Sequence, residues 1–196
     1  MAQSAHNLRN MVGGLLDYAR IGLRETEMQP CDLNEVCCAA QRNLSAEIAS
    51  SKAKIDIQGG AIVLGNFDLL VALFQNLIGN SIKYRKVEIG LAIDIEITDV
   101  QDEVTIAISD NGIGIKSEFA EKIFELFRRL HSDKDYSGLG MGLTTCRKIA
   151  ELHKAEIVLD REFQQGSRFI LKPLTKLQAN PPIKAKVKRA LNHSKS

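Results

Sequence analysis

The sequence predicts an α/β fold, a two-layer sandwich in which helices pack on one face of a mixed β-sheet. Two patterns predict it. Apolar residues recur at spacings of three and four in some segments, as in amphipathic helices, and alternate with polar residues in others, as in half-buried strands. The 196 residues, 44% hydrophobic and 26% charged, fit one compact domain with short appendages.

The first third of the chain predicts two helices and two strands. A helical stub is expected over about residues 6–23, and Asp32 followed by Glu35 resembles a capping box that opens a second helix through about Ser50. Two short strands are expected next, with a turn at the glycine pair between them. These strands span about 54–57 and 61–64, on either side of Gly59 and Gly60.

The middle of the chain predicts a long helix over about 66–84, followed by two strands that form a hairpin. The strand residues that share one face are Ile93, Ile95 and Ile97 in the first strand and Val104, Ile106 and Ile108 in the second. A short helix over about 118–129, a helix over about 141–153, and strands near Ile157 and Phe169 complete the prediction.

Charge and cysteine content exclude several function classes. The formal net charge is +2, and no long basic stripe crosses the interior, so neither a nucleic-acid partner nor membrane contact by this segment is predicted. The four cysteines form no CxxC pair, which argues against a zinc site or a disulfide framework. The start lacks an apolar signal core, and no stretch approaches the roughly 18 apolar residues of a membrane span. We expect a cytoplasmic protein, with any membrane anchor of a full-length receptor outside the chain.

Three polar motifs interrupt these elements. Asn76, Asn80, Lys83 and Tyr84 lie on the long predicted helix, and the first three share one of its faces. Taken alone, such residues most often form a solvated helix surface.

The second motif is Asp110-Asn-Gly112-Ile-Gly114, at the end of a predicted strand. An ordinary turn between strands is the alternative, but the residues after Gly114 change to a helical period, which leaves the carboxylate facing a glycine-rich loop. The third motif, Gly138-Leu-Gly140-Met-Gly142, opens a helix whose first N–H groups suit a phosphate. It follows no strand of a βαβ unit, so a dinucleotide fold is disfavoured.

The order of these motifs resembles the catalytic domain of sensor histidine kinases. That domain belongs to an ATPase superfamily with gyrase B, a heat-shock chaperone and mismatch-repair ATPases, all with the Bergerat-type ATP-binding fold. NLIGNSIKY resembles the N box, SDNGIGI the G1 box, IFELFRRLH the F box and GLGMGL the G2 box, and the match covers about residues 30–174. The FRRLH segment is most similar to the phytochrome-type branch.

The resemblance implies a site for ATP and Mg²⁺. By it, Asn80 ligates magnesium, Asn76 and Lys83 face the phosphates, and Tyr84 packs near the ribose and base. Asp110 accepts a hydrogen bond from the adenine amino group, and Gly112 and Gly114 let the base approach. Arg129 reaches the phosphates. The residues expected around the phosphates in the G2 box are Gly138, Gly140, Gly142 and Leu143.

The resemblance further implies a kinase that phosphorylates a histidine on a helical hairpin, for relay to a response regulator. Superfamily members that hydrolyse ATP place a glutamate at the position of Asn76, and an amide cannot take a proton from water. Two alternatives stay open: a degenerate ATP-binding or partner-docking module, favoured by Leu139 between the G2 glycines, and an anti-sigma-type serine kinase.

The N-terminus leaves the phosphoacceptor open. His6-Asn-Leu-Arg resembles the H box that carries the accepting histidine, which would make His6 the phosphoacceptor. We favour coincidence, because LLDYARIG resembles the end of the hairpin's second helix. Residues 1–29 are then expected to be the trailing hairpin helix and linker, through which the chain could form a homodimer. The chain alone is not expected to phosphorylate itself. Residues 30–174 form the catalytic domain, and 175–196 a basic, disordered tail.

Overall fold

The fold is seen in a computed structural model that describes residues 12–16, 18–21, 27–100, 103–128, 130 and 140–176. Its main layer is a five-stranded sheet with the strand order β2-β4-β5-β7-β6. The strands are β2 (Lys54–Gly59), β4 (Ala92–Val100), β5 (Glu103–Asp110), β6 (Glu156–Leu159) and β7 (Arg168–Thr175). Only the β2–β4 pair is parallel, so the sheet is mixed, as predicted.

The second layer consists of the helices α1 (Leu33–Asn43), α2 (Ser45–Ser51), α3 (Phe67–Lys83) and α4 (Gly142–Leu152). Three of them bury apolar residues in the core, whereas α2 contributes only the partly buried Ile48. The long helix agrees with its prediction, because Asn66 is its N-cap and accepts the Leu69 N–H at 3.0 Å. Apolar residues of α1, α3 and α4 and the inward residues of the strands form one core.

The hairpin of β4 and β5 is also as predicted, with Ile95 opposite Ile108 and Ile97 opposite Ile106. All four side chains are buried, because the alternation places them on the helix-covered face. This hairpin carries Asp110 as its last residue and so delivers a carboxylate to the end of the sheet.

The two strands predicted on either side of Gly59 and Gly60 are present, but they do not pair with each other. The strands on either side belong to different sheets, since β2 pairs with β4, whereas β3 (Ile62–Gly65) pairs antiparallel with β1 (Gln29–Asp32). Gly59 has φ +85°, a conformation that turns the chain from one sheet to the other. The small β1–β3 sheet has no counterpart in the prediction.

Two predicted helices are also corrected. The helix expected from Asp32 to Ser50 breaks at Leu44, whose φ of −103° and ψ of 17° end α1. Asp32 does cap α1, accepting the Asn34 N–H at 2.8 Å. The helix expected over 118–129 is replaced by two 3₁₀ turns, Ser117–Phe119 and Lys122–Phe124, since the backbone becomes extended at Glu125.

The N-terminal stub is helical at residues 12–16 and 18–20. Val12, Leu15 and Leu16 are exposed on it, while Ile21 packs against the domain core. Of the described helices, none has the length and apolar character needed to cross a bilayer.

Candidate functional site

The centre of the candidate site is the buried carboxylate of Asp110, which is 8% exposed. Its Oδ1 accepts the backbone N–H of Gly112 at 2.8 Å and that of Ser167 at 3.1 Å. Its Oδ2 accepts the hydroxyl of Ser81 at 3.0 Å. The carboxylate is thereby oriented from three elements at once: the loop after β5, the start of β7, and α3.

Burial and hydrogen bonding act on Asp110 in opposite directions. Desolvation is the larger effect and raises the pKa of this carboxyl above its ordinary value. The N–H groups of Gly112 and Ser167, the Ser81 hydroxyl and the charge of Lys86 favour the ionised form and partly offset that rise. Asp110 is therefore a buried carboxyl with a perturbed pKa, a feature that often marks a functional site.

Glycines bring backbone close to this carboxylate. A Cβ on Gly112 would lie 2.6 Å from the carbonyl oxygen of Tyr84, which accepts the Ile113 N–H at 3.0 Å. Gly114 has φ +76°, and a Cβ on it would lie 3.0 Å from the Gly166 carbonyl oxygen. These contacts explain why the motif needs glycine, because a side chain would push the loop away from α3 and β7.

The polar face of α3 forms a second side of the site. The Lys83 Nζ lies 4.6 Å from the centroid of the Tyr84 ring, a cation–π contact. The Asn76 Nδ2 donates to the Ala72 carbonyl at 2.8 Å, which turns Oδ1 toward Gly142. Asn76 thus presents an oxygen to the N-terminus of α4.

That helix N-terminus is the third side. No side chain caps α4 at Met141, and Gly140 before it has φ +71°. Uncapped N–H groups and the helix dipole favour an anion. At Gly142, the first residue of α4, a Cβ would lie 2.7 Å from the Asn76 Oδ1, so glycine keeps this space open.

Two cavities join these sides into one cleft. The first is lined by Asp110 and Gly114, and the second by Asn76, Lys83, Gly140 and Gly142. The residues that line both are Asn80, Tyr84, Ile123, Arg128 and Leu143. The shared residues show that the cavities adjoin, and the three sequence motifs meet here.

Some predicted site residues fall elsewhere. Gly112 does not line either cavity but supports one through its bond to Asp110. His6, Arg129 and Gly138 lie outside the described residues, as does Leu139.

Two serines at the site were missed by the sequence analysis. Ser81 and Ser167, both buried, donate to Asp110 through a hydroxyl and a backbone N–H respectively. A signal existed for Ser81, a polar residue on the apolar side of a predicted helix. Ser167 gave no local signal, because its contact depends on β7 pairing with β5.

The donor set suits a nucleotide with a hard cation. Among the described residues, no three His, Cys, Asp or Glu side chains cluster to hold a metal. The cleft offers amide oxygens instead, and Mg²⁺ is commonly held by one or two protein oxygens together with phosphate oxygens and water. The uncapped α4 N-terminus and the open space at Gly142 fit the phosphates.

Comparison with known proteins agrees with this geometry. Residues 65–177 match the model of the family described as histidine kinase-, DNA gyrase B-, and HSP90-like ATPase. Cyanobacterial phytochrome A of Nostoc is 33% identical over 162 residues, covering 83% of this chain and 21% of its own length. Phytochrome-like protein Cph1 of Synechocystis is 35% identical over 162 residues, covering 83% and 22%. The chain thus spans about a fifth of these relatives, and the predicted similarity to phytochromes is confirmed.

Solved structures share the fold. Full-length ShkA in complex with AMPPNP has a TM-score of 0.73 at 20% identity, covering 90% of this chain and 38% of that one. ThkA in complex with the response regulator TrrA has a TM-score of 0.67 at 21% identity, covering 90% and 49%. The predicted two-layer α/β sandwich with a helical stub is therefore confirmed. The chain belongs to the histidine kinase-, DNA gyrase B-, and HSP90-like ATPase family.

Proposed function

We propose that this chain is the ATP-binding catalytic part of a sensor histidine kinase. It transfers the γ-phosphoryl group of Mg-ATP to a histidine on a helical hairpin, for relay to a response regulator. The observation that carries the proposal is a single cleft with a fixed, buried carboxylate at one end and an uncapped helix N-terminus at the other. The carboxylate suits the base of a nucleotide, and the helix N-terminus suits its phosphates.

The base end is assigned to Asp110, Gly112 and Gly114. The Asp110 carboxylate accepts from the adenine amino group, and the two glycines leave room for the base beside the backbone. Tyr84 lies where the two cavities meet, which suits packing against the ribose.

The phosphate end is assigned to α3 and the start of α4. Asn80 lines both cavities and supplies an amide oxygen to Mg²⁺. Lys83 adds positive charge, and the backbone at Gly140, Gly142 and Leu143 faces the phosphates. Gly138 and Arg129 are proposed for the same end from the sequence motifs alone.

The amide at Asn76 favours phosphoryl transfer over ATP hydrolysis. Its Nδ2 is held by the Ala72 carbonyl, so the atom turned to the cleft is an amide oxygen with no basicity near neutral pH. An oxygen there suits a cation or its water ligands better than a bare phosphate oxygen. Without a general base at this position, the cleft aligns the phosphoryl group for a nucleophile from another element, and Mg²⁺ supplies charge neutralisation when bound.

The proposed organisation follows the predicted boundaries. Residues 1–29 act as the trailing hairpin helix and linker, 30–174 as the catalytic domain, and 175–196 as a basic tail. Exposed Val12, Leu15 and Leu16 give the stub an apolar surface for a second copy or a partner helix. By analogy with the ThkA complex, we propose a response regulator as the partner. We also propose a cytoplasmic location, because the ATP that this function requires is supplied there.

The test combines binding with phosphoryl transfer. We expect calorimetry to detect Mg-ATP binding by the whole chain, and labelled ATP to yield acid-labile label on an added histidine-bearing hairpin. Asn80→Ala should abolish transfer, whereas Asn43→Ala, which removes an exposed amide at the end of α1, should not. Release of inorganic phosphate without labelled hairpin would contradict the proposal.

The same assay decides the role of the N-terminus. In-line transfer needs the accepting nitrogen within about 3 to 3.5 Å of phosphorus, and a lone helix does not hold it there. We therefore expect no label on the chain alone. Label that accumulates on the chain and disappears in His6→Gln would instead identify His6 as the phosphoacceptor.

A further inference from the structure

Ser81 follows Asn80 on α3 but faces the protein interior, where it is 4% exposed. Its Oγ lies 3.0 Å from the Oδ2 of Asp110 and 3.2 Å from the carbonyl oxygen of Leu77. A hydroxyl has one proton, so it donates to one of these acceptors at a time. The carboxylate is the nearer and the charged acceptor, and it forms the stronger bond.

The two oxygens of Asp110 have different surroundings. Oδ1 is occupied by the backbone N–H groups of Gly112 and Ser167. Oδ2 receives the Ser81 hydroxyl, and because each carboxylate oxygen has two acceptor positions, it retains capacity for a ligand in the first cavity. The direction in which Oδ2 can accept a further hydrogen bond therefore depends on Ser81.

We propose that Ser81 is a positioning residue for base selection, which holds Oδ2 of Asp110 as an oriented, acceptor-only atom and so favours adenine over guanine nucleotides. The proposal rests on the proposed function, because it requires that the base occupies the first cavity.

The selectivity follows from protonation chemistry. An ionised carboxylate only accepts hydrogen bonds and therefore pairs with the amino group of adenine, whereas a protonated carboxyl also donates and can pair with the carbonyl of guanine. Burial raises the pKa of Asp110, and the Ser81 hydroxyl opposes that rise. Lys86 acts in the same direction as Ser81, and Arg128 lines the same cavity. Loss of the hydroxyl increases the protonated fraction at any given pH.

A helical serine elsewhere in the chain provides a matched control. The Ser51 hydroxyl on α2 donates to the Glu47 carbonyl at 2.7 Å, the same four-residue contact that Ser81 makes with Leu77. Ser51→Ala therefore removes a serine hydroxyl from a helix without touching a carboxylate. Comparison of Ser51→Ala with Ser81→Ala separates base selection from a purely structural effect.

The experiment measures Asp110 directly as well as nucleotide affinity. The ¹³C carboxyl signal of Asp110 is titrated in the whole chain without nucleotide, and Mg-ATP and Mg-GTP are titrated by calorimetry from pH 5 to pH 8. In Ser81→Ala we expect the Asp110 midpoint at higher pH and the ATP-to-GTP affinity ratio about tenfold lower at the acid end of the range. Ser81→Thr, which keeps the hydroxyl, should restore both, and Ser51→Ala should match the unsubstituted chain.

Two outcomes would overturn the proposal. One is an unchanged midpoint and an unchanged affinity ratio in folded Ser81→Ala. If that variant does not fold, Ser81→Cys, which keeps the size but has a weaker donor, must give a midpoint at higher pH than the unsubstituted chain, and an unshifted one overturns the proposal. Failure of the unsubstituted chain to bind either nucleotide would instead overturn the proposed function, and base selection with it.

Discussion

Asp110→Asn replaces the buried carboxylate by an amide of almost the same shape. The amide oxygen can still accept from Gly112 and Ser167, and the NH₂ group can donate to Ser81 in place of accepting from it. The fold should therefore survive. Under the proposed function, the substitution removes the acceptor for the base amino group, and a hydrogen bond to a charged group contributes about 1.5 to 3 kcal/mol. We expect ATP affinity to fall by about 10- to 100-fold.

The same substitution should stabilise the protein without nucleotide. The pKa of Asp110 is raised on folding, so the folded state disfavours the charge at neutral pH, and an amide removes that penalty. With a raised pKa, the folded state binds more protons than the unfolded state between the two pKa values. The native protein therefore gains stability as pH falls through that window, and its Tm should approach that of Asp110→Asn.

Calorimetry with Mg-ATP and thermal unfolding without nucleotide measure the two effects. Asp94→Asn removes the same charge from an exposed position on β4 and serves as the control, with no change expected in ATP affinity. Unchanged ATP affinity in folded Asp110→Asn, or a lower Tm at neutral pH, would refute the reasoning.

Three further predictions concern the scaffold around the cleft. Gly142→Ala should weaken Mg-ATP binding by calorimetry, because its Cβ falls 2.7 Å from an amide oxygen, whereas Gly79→Ala, with no atom within 4 Å of its Cβ, should bind normally. Equal affinities in the two variants would contradict a role for Gly142 at the phosphate end of the cleft. Burial lowers the pKa of His153, whose Nδ1–H donates to a carbonyl and whose Nε2 accepts an N–H. The unfolded state therefore binds more protons than the folded state between the folded pKa and about 6.5. Urea unfolding should show the free energy of unfolding falling as pH drops below about 6.5 and levelling beneath the folded pKa. His153→Asn should lose that slope, and retention of it would exclude His153 as its source. Phe124→Ala, at a side chain 3% exposed, should cost about 3 to 5 kcal/mol in urea unfolding, and Phe127→Ala, at one 40% exposed, much less. Equal losses of unfolding free energy in the two variants would show that burial does not determine how much each ring stabilises the fold.

Elements with strong local patterns were predictable from sequence. The long helix had both an apolar stripe and Asn66 as an N-cap, and the β4–β5 hairpin had uninterrupted alternation over both strands. That the three motifs lie close together in the fold was predictable only through the family resemblance, because no local pattern relates Asn80 to Gly140.

Elements that depend on distant partners or on one backbone angle were not predictable. β1 is four residues long and contains Pro30, so only its pairing with β3 makes it a strand. Ala120, Ile123 and Phe124 are buried at helical spacing, yet the chain turns at Glu125 without a glycine or proline to mark it. Periodicity alone does not separate two 3₁₀ turns from one α-helix.

The two ends of the cleft differ in how they are held, and this difference bears on catalysis. At the end of the cleft proposed for the base, Asp110 accepts hydrogen bonds from Ser81 of α3 and from Ser167 just before β7, so the protein itself orients this carboxylate. At the phosphate end, α4 begins without a side-chain cap, and its N–H groups lack the partner that a capping residue would give. Under the proposed function, the base is received by a carboxylate that the protein itself orients, whereas the phosphates supply acceptors for the N–H groups at the start of α4. Under the proposed function, such a division lets the cleft hold ATP by its base while the γ-phosphoryl group stays available to an external nucleophile, which agrees with an amide in place of a general base at Asn76.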